Sequence, residues 1–490
     1  MPSIDSRSRR FALVLTAAVL HAGTAAAQTV APTASTTPPE APPTAAPAPA
    51  TAADVAALRA EVQALRASVE QAHAGAAPSP DAGPEPVKPI GAEGYWPWVL
   101  PPEGVAYRAY FQGQYESHQD SQDQLAQGGG LLNKDRFSLR RARVQLTGEW
   151  QYAALAFELD ANTTNGPQVD PRKAEMSLQY RPDRKLPPIV MATLGLFDVP
   201  FGYELVESPG TRFFMERSQS SLAFFPTEPD LGVRFAGALS FFRWTIAAVN
   251  GNPMGTTYAL QDPLKAKDVV FRFGIDTHPL HNLQFAADVS SLRGSGFHAG
   301  TSATSATLQY KDVNENGIAE PYDIVPVPGT TATPSSSFQH WAFGVDLRAS
   351  YRTWLGDTKV YGELTVAQNL DRGLYIADPT VTGVDTRELG AYVGVEQEVT
   401  KWAVVGLRYD YYNPNFDVAD KRLGKLLPFS EAITTWSPLF ALVLPDRTLP
   451  DRARLVLQYD AITNAFARSA VGVPANLPDN VFTMRLQVRL

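Results

Sequence analysis

The end of the chain alternates apolar and polar side chains. Within residues 481–490, Phe482 and Leu486 share one face, while Arg485 and Arg489 lie on the other. A period of two predicts a β-strand whose faces meet different environments. Two arginines on the polar face indicate that this face meets water. The chain therefore ends in a strand with one apolar and one hydrated face.

The same alternation recurs from residue 107 onward. Clear apolar sets are Leu155/Phe157/Leu159, Met176/Leu178/Tyr180, Trp341/Phe343/Val345/Leu347 and Val405/Leu407/Tyr409. The opposite faces carry charges such as Glu158, Asp346 and Arg408. Charges at alternate positions do not fit a sandwich core, but they suit strands between lipid and a hydrated lumen. About sixteen such segments predict an all-β fold, a 16-stranded antiparallel transmembrane β-barrel with an aqueous interior.

The connections between these segments differ in length. Short turns, such as residues 356–357 and 400–401, alternate with long polar connections, such as residues 119–133, 294–338 and 371–386. Transmembrane barrels have short turns at one end and long loops at the other. The pattern therefore supports the barrel.

The N-terminus predicts export. Arg9 and Arg10 precede an apolar run at residues 11–20, and residues 25–27 offer a small-residue cleavage site, so residues 1–27 form a secretory signal peptide. No later stretch approaches the roughly 18 consecutive apolar residues of a transmembrane helix. The chain has no cysteine, which excludes a disulfide framework and any cysteine metal site or nucleophile. Export and a barrel together predict the bacterial outer membrane.

The segment before the barrel divides into three parts. Residues 28–52 form an Ala/Pro/Thr-rich linker, residues 53–75 a short periplasmic coiled coil, residues 76–104 a Pro-rich spacer, and residues 105–490 the barrel. In the coiled coil, Val55, Leu58 and Val62 begin a heptad pattern. This pattern is too short to associate alone, but attachment to an oligomeric barrel makes it viable. A lone surface helix is the alternative.

The densest basic cluster lies in one predicted strand, at Arg140, Arg141 and Arg143. The outward apolar residues are odd-numbered at Leu139 but even-numbered at Val144, so the alternation slips between them. A β-bulge there lets Arg140 and Arg141 both point inward. Guanidinium groups bind oxyanions in a fixed fork geometry, which predicts an anion contact. The alternative is that these arginines only balance carboxylates of the lumen.

Two segments resemble the phosphate-selective porin O/P family. Residues 136–166 resemble its second and third strands, where an aromatic residue and an arginine pair precede an alternating strand. Residues 194–217 resemble its strand and inward-folding constriction loop, with the F-D-x-x-F-G-x-E core and the closing Glu216 and Arg217. The C-terminal F-x-x-R-L-Q pattern, residues 482–487, agrees as well.

This resemblance implies a trimer of sixteen-stranded barrels that pass anions through an arginine-lined lumen. The arginine pair of the family's constriction falls on Arg140 and Arg141, and the loop serine on Ser208. Further candidate solute contacts are Arg143, Arg172, Lys173 and Arg212.

The chain also departs from the family. Leu205 stands where phosphate-selecting members carry a loop lysine, and Arg172 or Lys173 stands where they carry an acidic residue. Glu207 adds a negative charge to the loop. The sequence therefore predicts a porin for passive diffusion of small solutes, anion-preferring, with weaker selectivity for phosphate.

Other charges are also predicted to face the lumen. The cations are Arg234, Arg243, Arg272, Arg348, Arg408, Arg454 and Arg485, and the acids are Asp288, Asp346, Glu363, Glu396 and Asp410. Such cations either form a stepwise path for anions or are neutralised by the acids.

One long loop matches a calcium-binding pattern. The spacing of an EF-hand loop falls on Asp312, Asn314, Asn316, Ile318, Glu320 and Asp323, with glycine at position 317. No helices are predicted to flank it. The two hypotheses are a Ca²⁺ site and a turn-rich polar loop.

No enzymatic activity and no required cofactor are expected. The expected partners are outer-membrane lipid, small anions, two further copies of the chain and the barrel assembly machinery, and not nucleic acid. One alternative is a non-conducting structural barrel tethered to the periplasm. The other is a lipid hydrolase, which needs a serine beside a histidine on the lipid-facing surface; no histidine shows that spacing.

Overall fold

The computed structural model describes residues 104–119, 135–164, 166–182, 186–227, 229–251, 264–311, 321–417, 419–422, 425–428, 431–444, 452–465, 467–468 and 474–490. The predicted signal peptide, linker and coiled coil lie outside these residues, as does the spacer up to residue 103. Among the described residues, no helix has the length and apolar character needed to cross a membrane.

Sixteen strands form one closed, antiparallel barrel, as predicted. The strands are β1 (Gly104–His118), β2 (Arg136–Glu149), β3 (Ala153–Asn162), β4 (Gln168–Tyr180), β5 (Val190–Asp198), β6 (Pro229–Leu239), β7 (Phe242–Val249), β8 (Asp268–Leu280), β9 (Leu283–His298), β12 (Ser336–Arg352), β13 (Asp357–Gln368), β14 (Arg387–Thr400), β15 (Ala403–Asn413), β18 (Ile433–Leu444), β19 (Ala453–Thr463) and β22 (Val481–Arg489).

The remaining elements are short and lie in the loops. Three hairpins pair β10 (Thr307–Tyr310) with β11 (Ile324–Val327), β16 (Ala419–Arg422) with β17 (Lys425–Pro428), and β20 (Ala467–Arg468) with β21 (Pro474–Ala475). The helices are α1 (Gln219–Phe224) and α2 (Pro379–Thr382), and Pro321–Asp323 forms a 3₁₀ turn.

The C-terminal strand closes the barrel against the first strand. Strand β22 pairs with β1 from Tyr110 opposite Arg489 to His118 opposite Val481. Closure gives both edge strands a hydrogen-bonding partner, which a strand in lipid requires. Leu486 is 56% exposed on the outside, whereas Gln487 is fully buried on the inside. The predicted faces of this strand are confirmed.

Short turns and long loops lie at opposite ends of the barrel, as predicted. Residues 150–152, 240–241 and 281–282 make tight connections, whereas residues 299–335 and 369–386 are long. The chain therefore has its long loops at the end opposite both barrel termini.

The predicted bulge lies in β2. Gln112 pairs with Arg141, and the next residue, Gly113, pairs with Leu139, so Arg140 has no partner on β1. The extra residue lets Arg140 and Arg141 both face the interior.

A second bulge, which the sequence analysis missed, lies in β4. Glu158 pairs with Lys173, while Leu159 pairs with Pro171, and Arg172 is the extra residue. A second pair of adjacent cations thus lies at a bulge, on a strand close to the first pair.

Candidate functional site

The constriction loop, residues 199–227 between β5 and β6, crosses the interior of the barrel. The Gln112 side chain of β1 donates to the Pro209 carbonyl at 3.0 Å. The Tyr203 amide donates to Glu363 of β13 at 2.9 Å. The Gln219 amide donates to Asp410 of β15 at 2.6 Å. Because β1 and β13 lie far apart around the barrel, the loop spans the lumen rather than one wall.

Local sequence explains how the loop turns inward. Gly202 has a φ of +60°, and a Cβ there would lie 2.3 Å from Glu363 Oε1. Only glycine therefore suits this close approach. Further along, the Ser218 hydroxyl caps α1 by accepting from the Ser221 amide. Glu204 accepts from the Ser218 amide at 2.6 Å and so joins the two ends of the loop.

One flank of the loop packs on the wall through aromatic rings. The Tyr203 and Tyr361 ring centroids lie 5.1 Å apart, and Phe214 also meets Tyr361 edge-on. Near α1, Phe224 packs on Tyr412 at 5.7 Å. Buried edge-to-face pairs stabilise such packing beyond simple burial. This flank is closed to water.

The other flank carries an ionic cluster centred on Glu216. Arg140 Nε and Nη2 each lie 2.9 Å from one carboxylate oxygen, a bidentate pair. Arg141 Nη2 lies 3.0 Å from Oε2, and Arg485 Nη2 lies 2.6 Å from Oε1. Three guanidinium groups from β2 and β22 therefore surround one carboxylate of the loop. Arg140 and Arg141 are brought together as predicted.

This cluster is the hydrated side of the loop. The side chains of Arg140 and Glu216 are 25% and 32% exposed, and that of Lys173 is 24% exposed. The side chain of Arg408, on the packed side of the loop, is only 4% exposed. Water in the described interior thus reaches the region beside β2 and β4.

The arginines keep Glu216 ionised. Burial alone raises the pKa of a carboxyl group, but the positive charges of Arg140, Arg141 and Arg485 outweigh it. The pKa of Glu216 is therefore held well below its usual range.

Ser208 lies in a turn of the constriction loop. Its hydroxyl accepts from the Gly210 amide at 3.2 Å. The Gly210 carbonyl accepts from Arg454 at 3.1 Å and from Gln487 at 2.8 Å. The hydroxyl therefore shapes the turn that binds the wall.

Arg212 lies deeper in the same loop. It is 2% exposed, and its Nη1 lies 3.5 Å from the Glu204 carbonyl. It is therefore covered from solvent, unlike Arg140.

Two of the other predicted cations, Arg143 and Lys173, pair with carboxylates. Arg143 Nη1 lies 3.2 Å from Glu158 and its Nε 3.3 Å from Asp160. Lys173 lies 2.7 Å from Asp198. The partly buried Arg172 is adjacent at the second bulge. These cations add little net positive charge, because acids accompany them.

Most inward arginines of the remaining wall hold the loop or pair with acids. Arg408 binds Glu204 at 3.0 Å, and Arg454 donates to the Arg212 carbonyl at 2.7 Å. Arg272 lies 3.0 Å from Asp346. Of the two alternatives for these cations, neutralisation and loop anchoring describe them better than an open stepwise path.

Sequence reasoning missed the role of Glu216 and of three interior amides. Gln112 accepts from Arg141 at 3.3 Å, and its amide donates to Gln487 at 2.7 Å. The carbonyl oxygen of Gln114 accepts from Arg485 Nε at 2.8 Å. The sequence indicates only that these glutamines lie at inward-facing positions of β1 and β22. Their hydrogen-bond partners depend on the path of the loop.

Leu205, which stands at the position of the family's loop lysine, is buried. It is 4% exposed in an apolar cluster with Phe197 and Phe201.

The calcium-like loop is described only in part. Residues 312–320 lie outside the described residues, and Asp323 is buried in the 3₁₀ turn. Among the described residues, no group of three His, Cys, Asp or Glu side chains is placed to hold a metal.

Residues 111–317 match the sequence model of the family described as Phosphate-selective porin O and P. The resemblance seen in the sequence is confirmed over that range. No curated protein sequence matches the chain.

Solved structures of bacterial outer-membrane proteins align with the chain at low identity. The outer membrane channel DcaP of Acinetobacter baumannii is 11% identical, covers 79% of this chain and 97% of its own, and has a TM-score of 0.47. OprB of Pseudomonas putida is 10% identical, and the alignment covers 79% of this chain and 94% of OprB with a TM-score of 0.45. The anion-selective porin from Comamonas acidovorans is 10% identical, with 79% and 98% covered and a TM-score of 0.44.

Proposed function

We propose that the chain, given its match to the phosphate-selective porins, is an outer-membrane porin through which small solutes diffuse passively, with a preference for anions. The observation that carries this proposal is the cluster of Arg140, Arg141 and Arg485 at the hydrated edge of the constriction loop. No chemical step is required of any residue.

The preference for anions follows from local charge. Three guanidinium groups face one carboxylate, Glu216, which leaves an excess of positive charge where the interior is narrowed. Charge at a constriction sets which ions enter, because the surrounding protein screens it less than water does. A partly hydrated arginine such as Arg140 is available to a passing anion.

Selectivity for phosphate is proposed to be weak. Leu205 supplies no charge where the family's loop lysine would stand. Acids such as Glu158, Asp160 and Asp198 accompany the cations of β2 and β4. These acids weaken the positive field of Arg143 and Lys173, so a doubly charged anion gains less from them.

Three further properties are proposed from the sequence. The resemblance to the family supports a homotrimer. The heptads support a segment before residue 105 that lies in the periplasm and joins the three copies, and the EF-hand spacing supports Ca²⁺ binding by residues 312–323. Crosslinking of the purified protein, periplasmic protease protection and calcium titration test these in turn.

The aromatic packing of the loop favours a second candidate, a barrel that does not conduct. Tyr203, Phe214 and Tyr361 close one flank of the lumen. Conductance in planar bilayers separates the two candidates, since a structural barrel gives no channels.

Reversal potential in a potassium chloride gradient tests the anion preference. The double variant R140Q/R141Q should shift the potential toward cations. The control is R352Q, which removes one charge from an exposed pair with Asp357 at the turn end of the barrel. Equal potentials for the double variant and the wild type would contradict the arginine assignment.

A further inference from the structure

The geometry around Glu216 is that of a binding site for a carboxylate. Arg140 presents Nε and Nη2 to the two oxygens at 2.9 Å each. Arg141 approaches Oε2 at 3.0 Å and Arg485 approaches Oε1 at 2.6 Å. A planar group with two oxygens satisfies this set of donors. The chain's own side chain therefore shows which chemistry the arginines accommodate.

Two of the three arginines, Arg141 and Arg485, also have partners other than Glu216. Arg141 Nη1 also donates to Gln112 at 3.3 Å. Arg485 Nε donates to Gln114 at 2.8 Å. Donors that are held by neighbouring amides keep their geometry when one acceptor leaves, and such preorganisation of Arg141 and Arg485 favours ligand binding.

The backbone that carries Glu216 is also fixed independently of its carboxylate. The Met215 amide donates to Gln458 at 3.0 Å, and the Met215 carbonyl accepts from Arg485 at 2.6 Å. The Glu216 carbonyl accepts from Arg408 at 2.8 Å. The loop is thereby tied to β15, β19 and β22, so the Glu216 side chain is able to leave the arginines while its backbone stays.

The side chain has a hydrated direction in which to leave. Glu216 is 32% exposed and Arg140 25%, while Arg141 is only 5% exposed beneath them. Glu216 thus covers the deeper guanidinium groups, and its rotation toward water uncovers them.

We propose that Arg140, Arg141 and Arg485 form a subsite for small organic carboxylates, that Glu216 occupies this subsite at rest, and that such solutes pass by exchanging with the Glu216 side chain. This inference rests on the proposed porin function and names the solute class of its constriction. Glu216 is then a specificity-determining residue, because a solute must offer the arginines an equivalent group to displace it. A neutral solute gains nothing from the exchange.

Current block by propionate tests the proposal, with inorganic phosphate as the second probe. In the E216A variant the tethered carboxylate is gone and the arginines remain. The half-blocking concentration of propionate should fall at least ~10-fold relative to wild type, which corresponds to about 1.4 kcal/mol. The control is E398A, which removes a carboxylate near the end of β14 that accepts from the Asp357 amide at 3.1 Å, at the turn end of the barrel; its propionate block should equal that of wild type.

The E216Q variant keeps the proposal testable if E216A does not assemble. Its side chain is close in size to glutamate but neutral, so the ratio of anion to cation permeability should rise. Equal propionate block in wild type, E216A and E216Q would overturn the proposal. If the half-blocking concentration of phosphate fell in E216A as much as that of propionate, the carboxylate preference would be overturned. Absence of channels in the wild type would instead contradict the proposed porin function.

Discussion

Arg408 of β15 binds Glu204 of the constriction loop, with Nη1 3.0 Å from Oε1 and both side chains buried. The same Nη1 donates to the Glu216 carbonyl at 2.8 Å, and the guanidinium lies 5.0 Å from the Phe214 ring centroid. One wall residue thus contacts the loop at three separate points. The position of Glu216 among the arginines of β2 and β22 therefore depends on this attachment.

Replacing Arg408 should release the loop. R408M leaves Glu204 buried without its cation, and loss of one partner of a buried pair costs about 3–5 kcal/mol. We expect a noisier single-channel current and faster cleavage of the loop by protease. The control is R352M, which breaks an exposed ion pair with Asp357 that contributes about 0–1 kcal/mol to stability. A quiet current from R408M would show that the attachment is dispensable.

The residue before Arg408 tests the lipid-facing surface. Leu407 is 45% exposed on the outside, in the middle of β15. An arginine facing the hydrocarbon costs up to about 2–4 kcal/mol. L407R should therefore lower the urea midpoint for unfolding in lipid vesicles, while L407F should leave it nearly unchanged. Equal midpoints would argue against lipid contact at this position.

Phe214 tests the aromatic flank. It is fully buried against Tyr361, and truncation of such a ring costs about 3–5 kcal/mol. F214A should lower the thermal midpoint in detergent and raise the conductance, because the loop loses its packing on the wall. The matched control is F343A, whose ring is 48% exposed on the outer face; it should conduct like wild type.

The carboxylate of Glu216 should resist acid. Its pKa is depressed in the folded protein, so its ionic contact is complete above the ordinary carboxyl pKa of about 4.3. The contact is lost only as the pH falls through the depressed value. Infrared titration, with E216Q subtracted, should show no protonated Glu216 near pH 4.3. In R141Q the protonated band should appear at a higher pH.

The alternation of apolar and polar residues was enough to predict the barrel and its two faces. Successive side chains of a strand point to opposite faces, so each position faces either lipid or lumen. The bulge in β2 was predictable because apolar residues flank it closely, at Leu139 and Val144. The bulge in β4 left a weaker signal, since six residues, 170–175, separate the apolar residues Val169 and Met176 and four of them are charged.

The ionic cluster was less predictable. Arg140 and Glu216 are 76 residues apart in the chain, and their meeting depends on how the loop folds across the lumen. Sequence phase places Arg485 inside, but it does not indicate which carboxylate it meets. The partners of Arg140 and Arg485 are thus decided by the path of the loop, whereas Arg143 meets Glu158 of the neighbouring strand.

The unpaired position of Arg140 in β2 makes this strand tolerant of a change in length. Deleting one residue from a regular strand turns every following side chain to the opposite face. Deleting Arg140 would instead leave Leu139 outside and Arg141 inside, in register with Gly113 and Gln112. The lumen would lose one positive charge while the outer surface kept its composition. The wall at this point is therefore open to stepwise change in charge by insertion or deletion of a single codon.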